Sequence, residues 1–368
     1  MALDFHVPPG DEVERRKQLV RDVWEYKKVD HIPIMMDVAA NPWGYTVTEQ
    51  MVDRDKQLKV RLESVERSLV IPDYIPSMRV DVGCIPIASA FGAKVKYGLY
   101  PDQTPYVEGP LIQHMEEVYS LKMPDPETDG LLPEGISRIK YFIEQTEGQV
   151  HVSLLDIDGP VNCAMDLLGP ERLYKAMHRY PDALHHLLNL LTETLIMVLD
   201  RSLQAAGGYD YITATDFPGW WFPEGKKGHV SDDACANMAP RFFECFSIPY
   251  NNRIFDFVGP GQMHNCGPNP SAHLYLRQPK LLGLNVAYNY SKDDLGKFRD
   301  IFDHKAIIYL ILENSWQENL KNYRHAMEVL APRVIAVPCL TVDAGEDITF
   351  VYNKFLEISR EYASRMDW

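Results

Sequence analysis

Short apolar runs rich in β-branched residues recur along this chain with helical patterns between them, and that alternation restricts the fold more than any other feature. The runs predict strands over residues 31–37, 74–81, 150–156, 209–216, 262–265, 282–288, 306–313 and 334–339. Strands buried on both faces of a parallel sheet read as continuous apolar stretches bounded by turn residues. Helices are expected over 13–27, 136–145, 170–206, 232–251, 295–302, 317–329 and 346–366. The pattern from Leu173 to Leu191 repeats at three and four residues, and Gly207-Gly208 ends it as a helix stop. Eight strands alternating with helices imply an α/β protein, a single (β/α)8 barrel over residues 1–368 with an N-terminal helical extension. Residues 82–149 are proline-rich and are expected to hold a loop excursion or a small hairpin.

Charge excludes some function classes. The formal net charge is -15, without the basic footprint that nucleic acid or an anionic membrane surface requires. No apolar run approaches the ~20 residues that span a bilayer, and the start has no signal-peptide pattern. The expected compartment is the cytoplasm, where six cysteines do not form a disulfide framework.

Polar and reactive residues gather where the expected strands end: Asp37, Asp81, Asp156, Asp158, Asp216, His264, Cys266, Glu313 and Cys339. In a barrel those ends converge on one face, where active sites lie. Aspartate also marks strand ends as a turn former, which accounts for some of this pattern without any chemistry. His264-Asn265-Cys266-Gly267 is the most informative stretch. On an extended segment, residues i and i+2 point the same way, so His264 and Cys266 can reach one ion. Cys339, at the end of a later strand, can return to the same mouth. One imidazole and two thiolates suit Zn2+, with a fourth position left open as a catalytic site needs. Spacing alone leaves open that these are ordinary core residues.

At these residues the chain resembles the uroporphyrinogen decarboxylase superfamily, in particular its zinc- and corrinoid-dependent methyltransferase branch. The likeness rests on His264, Cys266 and Cys339, on Asp158-Gly159-Pro160 with Leu168-Gly169, and on Gly208-Tyr209-Asp210 leading to Asp216. It extends to Ser231-Asp232 with Phe242 and Pro249, and to Pro338-Cys339 with Gly345-Glu346-Asp347-Ile348. True decarboxylases carry an arginine-rich N-terminal loop; here residues 35–45 contain no arginine. The coenzyme M branch differs at the last two strands, where this chain has Glu313-Asn314-Ser315 and Pro338-Cys339-Leu340.

The resemblance therefore implies a component of aryl methyl ether demethylation. Such an enzyme moves the methyl group of a methoxylated phenol to the cobalt of a cobalamin (corrinoid) carried by a separate partner protein. Zinc on His264, Cys266 and Cys339 would act as Lewis acid. Glu313, Asp216 and Asp156 are the candidate proton-handling and orienting residues. An aromatic pocket is expected from Asn41, Trp43, Met36, Phe217, Trp220, Trp221, Tyr288 and Tyr290. The same rings would equally cap a barrel mouth or line a homodimer interface. The alternatives are a methylcorrinoid:thiol methyltransferase, a tetrapyrrole decarboxylase, and a barrel with a structural zinc.

Overall fold

A computed structural model describes residues 7–98, 100 and 102–368. Its main sheet contains six parallel strands in the order β1-β10-β9-β8-β7-β6. These are β1 (Met35–Ala39), β6 (Gly228–Ser231), β7 (Gly261–Asn265), β8 (Leu281–Ala287), β9 (Ile307–Ile311) and β10 (Ala336–Asp343). A second parallel pair joins β2 (Ser77–Met78) to β5 (His151–Val152). An antiparallel hairpin pairs β3 (Val95–Lys96) with β4 (Tyr106–Val107), inside the proline-rich interval where a loop excursion or hairpin is expected. The helices between strands pack on the sheet, and one hydrophobic cluster runs from Val20 to Met366.

Four strands fall close to their predicted places, β7 to β10, because their residues are almost wholly buried. The expected strand over 209–216 is different. Tyr209–Tyr211 is a 3-10 turn, and only Ile212 bridges to Val152. Thr213 N donates to Val152 O and Thr215 N to Lys227 O, each at 2.9 Å, so this segment links β5 to β6 by a few bonds. The strand proper is β6, a short and partly polar element. The expected helix over 232–251 is also broken. It comprises a 3-10 turn (Asp233–Asn237), a helical turn from Pro240, a π-helical turn (Phe243–Ser247) and the helix Ile248–Val258. The 170–206 helix divides at Pro181 into Pro170–Arg179 and Pro181–Ala206, since proline cannot continue the hydrogen-bond ladder.

Two features position the site. First, β6 and β7 approach closely: a Cβ on Gly261 would lie 1.6 Å from Gly228 O. Second, the ladder has a seam. β1 ends the six-stranded sheet and β2 pairs with β5, so no strand pairing joins β1 to β2 among the described residues. The expected closed ring of eight paired strands is thus a six-stranded sheet and a separate pair. Trp24 of the helix Gly10–Trp24 donates Nε1–H to Tyr309 Oη at 2.9 Å. No described helix is long and apolar enough to cross a membrane.

Candidate metal centre and adjoining cavity

Parallel register sets the donors. His264 on β7 lies opposite Ser231 on β6 and Asn285 on β8. Partners across a parallel ladder share a face, and the His264 ring meets Asn285: Nδ1 is 2.7 Å from Asn285 Oδ1. Asn285 Nδ2 donates to Tyr309 O at 3.1 Å, which fixes Oδ1 as the acceptor and leaves His264 Nε2 free as a ligand atom. Burial lowers the His264 pKa, which favours the neutral ring.

Two residues on, Cys266 leaves the strand exposed. The turn after it is held by Asn265, whose Oδ1 accepts from Gly267 N at 2.8 Å and whose Nδ2 donates to Asn269 Oδ1 at 3.0 Å. Gly267 is required there, as a Cβ would meet the Ala236 Cβ at 2.5 Å. Asp233, two residues past β6 at the start of the 3-10 turn, completes the group. Its Oδ1 accepts from Cys266 N at 2.7 Å and stands 3.5 Å from His264 Nε2. Asn162 Nδ2 donates to Asp233 Oδ2 at 3.0 Å. The ligand atoms of Asp233, His264 and Cys266 all lie within 4.8 Å of one another. Burial, then the Asp233 charge, pushes the Cys266 thiol up to about 12. A divalent cation would remove that penalty by stabilising the thiolate. The nitrogen, sulfur and oxygen donor set fits zinc.

Cys339 is not in this group. Its thiol donates to Val337 O at 3.6 Å and is 2% exposed. The register is informative: Cys339 pairs with Ile311, and Ile311 with Ala287. Extending the β7–β8 ladder one residue past Asn265–Val286 sets Cys266 opposite Ala287. Both sulfurs therefore belong to one level and one face, three strands apart. The third donor of the structure is a carboxylate where the spacing predicted a sulfur.

A cavity of about 500 Å3 fills the seam between β1 and β2. Phe217 joins it to the donor cluster. Its ring lines the cavity and stands edge-on to both His264 and His229, with centroids 5.1 Å away in each case. Trp220, Trp221, Met36 and Asn41 also border the cavity. Trp221 and Met36 are 1% exposed and act mainly as packing. Asn41 is engaged with its own loop, donating to Tyr45 O at 2.7 Å. Trp43 lies outside the lining, stacked on Tyr45 with Lys59 over its ring. Tyr288 and Tyr290 lie outside it as well, because the chain turns into a helix at Tyr288–Ser291. Tyr288 Oη meets His325 Nδ1 at 2.9 Å, and Tyr290 is exposed.

The aspartates divide. Asp216 is buried and accepts from Ser231 Oγ at 2.9 Å and from Ile157 N at 3.2 Å; its Oδ2 also lies 3.1 Å from His229 Nδ1. His229 Nε2 is buried without a partner among the described residues. Asp156 accepts from Arg79 Nη2 at 2.7 Å. Burial outweighs that guanidinium, and Asp216 and Asp81 add repulsion, so the Asp156 carboxyl is held up at about 7. Glu313 is exposed on the loop after β9, and its charge adds to the upward push on the Cys266 thiol. Sequence reasoning missed Asp233, Asn285, His229, Arg61 and Arg79. Asn285 left a signal, a lone amide inside the apolar stretch Leu281–Ala287. The others come together only through the fold.

The fold and donor cluster define a parallel α/β protein with a metal-competent group at the carboxyl ends of its strands. A family model described as uroporphyrinogen decarboxylase (URO-D) matches residues 16–308, and the chain belongs to that family. Among solved structures it is similar to a methyltransferase from Methanosarcina mazei. The TM-score is 0.69 at 17% identity, over 94% of this chain and 98% of that one. A B12-independent methionine synthase from Shewanella sp. W3-18-1, in complex with selenomethionine, has a TM-score of 0.47 at 11% identity. It covers 92% of this chain and 94% of that one and is too distant to inform the site. No curated protein matches the sequence.

Proposed function

We propose that the protein is a methyltransferase that cleaves an aryl methyl ether and passes the methyl group to the cobalt of a separate corrinoid protein. The observation that carries this is Phe217, which borders both the aromatic cavity and the His264 ring. A flat ring in the cavity brings its ether oxygen toward the donor cluster. The M. mazei methyltransferase, alike in fold over nearly its whole length, supports the reaction class. The same reading takes the six-stranded sheet and the β2–β5 pair as parts of one closed eight-stranded barrel.

Asp233, His264 and Cys266 would hold zinc, with Cys339, on the same face of the sheet, as a further candidate ligand. Zinc bound there supplies a Lewis acid for the negative charge that develops on the leaving oxygen. The chain's own residues do the rest. Phe217 and Trp220 orient the ring and exclude water. Asp156, held at about 7, exchanges a proton near neutral pH. Glu313, at the exposed rim, relays a proton to solvent. Cys266 is exposed, which leaves the cluster reachable by a docking partner.

The test is direct. Zinc-loaded protein, a cobalt(I) corrinoid protein and a methoxylated phenol should yield the free phenol and the methylcorrinoid absorption spectrum. No demethylation, with methylation of a small thiol instead, would replace this reading with the thiol reaction. Release of carbon dioxide from a tetrapyrrole would replace it with a decarboxylase.

A further inference from the structure

The seam cavity contains two guanidinium groups, and they are not equivalent. Arg79 is held between two carboxylates, with Nε 3.2 Å from Asp81 Oδ2 and Nη2 2.7 Å from Asp156 Oδ2. Its guanidinium lies 5.2 Å from the Phe217 ring centroid. Arg61, on the helix Arg54–Ser68, lines the same cavity. It makes no hydrogen bond to any described residue. Its nearest carboxylate oxygen is Asp81 Oδ2, 3.9 Å from Nη2, and Arg79 already engages that oxygen. Arg61 Nε, like Arg79 Nε, is buried without a hydrogen-bond partner among the described residues, so the two differ at their terminal nitrogens.

The carboxylates lining the cavity are Asp37, Asp73 and Asp81, and the Tyr74 hydroxyl donates to Ser77 O at 2.7 Å. Asp73 is taken by His31 at 3.0 Å and by Ile34 N at 2.9 Å. Asp37 accepts from Thr341 Oγ1 at 2.7 Å; it meets water in the cavity yet is enclosed by protein, which raises its pKa. The Asp81 and Asp37 charges both act on the Arg61 guanidinium without a hydrogen bond to it. Arg61 is thus the one cavity-lining cation with no hydrogen bond to a described residue. The Arg61 side chain keeps 30% exposure where it lines the cavity, and a carboxylate matches the planar fork of a guanidinium that opens onto such a space. Rings border the rest of the space: Phe217 beside His264, then Trp220.

We infer that Arg61 receives the carboxylate of an aromatic acid, so that the substrate class is a methoxylated aromatic acid rather than a neutral ether. The ether part rests on the methyl-transfer reading above; the acid site does not.

The experiment uses the full chain without a corrinoid partner. Benzoate and its neutral isostere benzamide are titrated against tryptophan fluorescence, since Trp220 and Trp221 border the cavity. Benzoate should bind at least about tenfold more tightly than benzamide. Arg61→Gln should bring the ratio to about one and leave benzamide unchanged, and Arg61→Lys should keep part of the preference. Equal binding by the wild type, or a preference that survives Arg61→Gln, overturns the assignment. If Arg61→Gln does not fold by circular dichroism, the wild-type ratio decides: tenfold sustains the site, and unity removes it. Benzoate has no methyl group. Tight benzoate binding with no demethylation of 3-methoxybenzoate would therefore reject the methyl transfer and keep the acid site.

Discussion

Asn285 Oδ1 lies 2.7 Å from Nδ1 of His264, and the same amide donates to Tyr309 O. The carbonyl oxygen of Asn285 thus selects the proton-bearing nitrogen of His264 and turns the other toward Asp233 and Cys266. Asn285→Leu removes the acceptor while the strand stays apolar. Zinc affinity, measured by competition with a chelator, should fall about 10- to 100-fold with the fold retained. An unchanged affinity would mean the ring orients itself without help.

Metal content separates the donors. His264→Ala and Cys266→Ser should each lose bound zinc by elemental analysis, and Asp233→Ala should bind it more weakly. Cys339→Ser should keep one zinc per chain in the free protein and lose methyl-transfer activity. Zinc lost from Cys339→Ser but kept in Asp233→Ala would assign the third place to sulfur instead.

Asp156 gives a pH dependence. Its folded pKa, about 7, is above the ~3.9 of a free aspartate. The folded state therefore holds a proton that the unfolded chain releases. The stabilising effect is full below about pH 4 and is lost as pH rises through about 7. Asp156→Asn should flatten the fall in thermal midpoint between pH 5 and pH 8. Asp166, also held up at about 7 by burial, contributes in the same direction, so the slope should shrink rather than vanish. An identical slope in the variant would place the Asp156 titration elsewhere.

Gly261→Ala tests the close approach of β6 and β7. Its Cβ would lie 1.6 Å from Gly228 O, a backbone atom that cannot swing aside. A loss of about 3 kcal/mol in urea unfolding is expected, and the variant should also bind zinc less well, because the two strands bring Asp233 to His264. Full stability would show that the strands can separate freely.

The parts of the fold that were legible in the chain are those whose burial is continuous. Leu281–Ala287 and Ile307–Ile311 are buried on both faces and read as apolar runs. Leu295–Phe302 was legible by its helical period. Gly228–Ser231 was not, because it is four residues long and carries His229 and Ser231 toward Asp216. Missing that strand also hid Asp233, which had the look of a residue opening a helix. The His264 and Cys266 pair was readable because two-residue alternation is local. Arg61 was not, since nothing near it in sequence reveals that it borders the same space as Phe217.

The break between β1 and β2 has a consequence for how such a protein can change. Elsewhere in the sheet, a new guest would have to be fitted against main chain tied up in paired strands. At this margin the boundary is drawn largely by side chains such as Met51, Trp220 and Arg61. Exchanging them alters what the recess admits and leaves every rung of the six-strand ladder in place. A single scaffold can in this way be refitted to different molecules at its edge while the donors on β7 stay where they are.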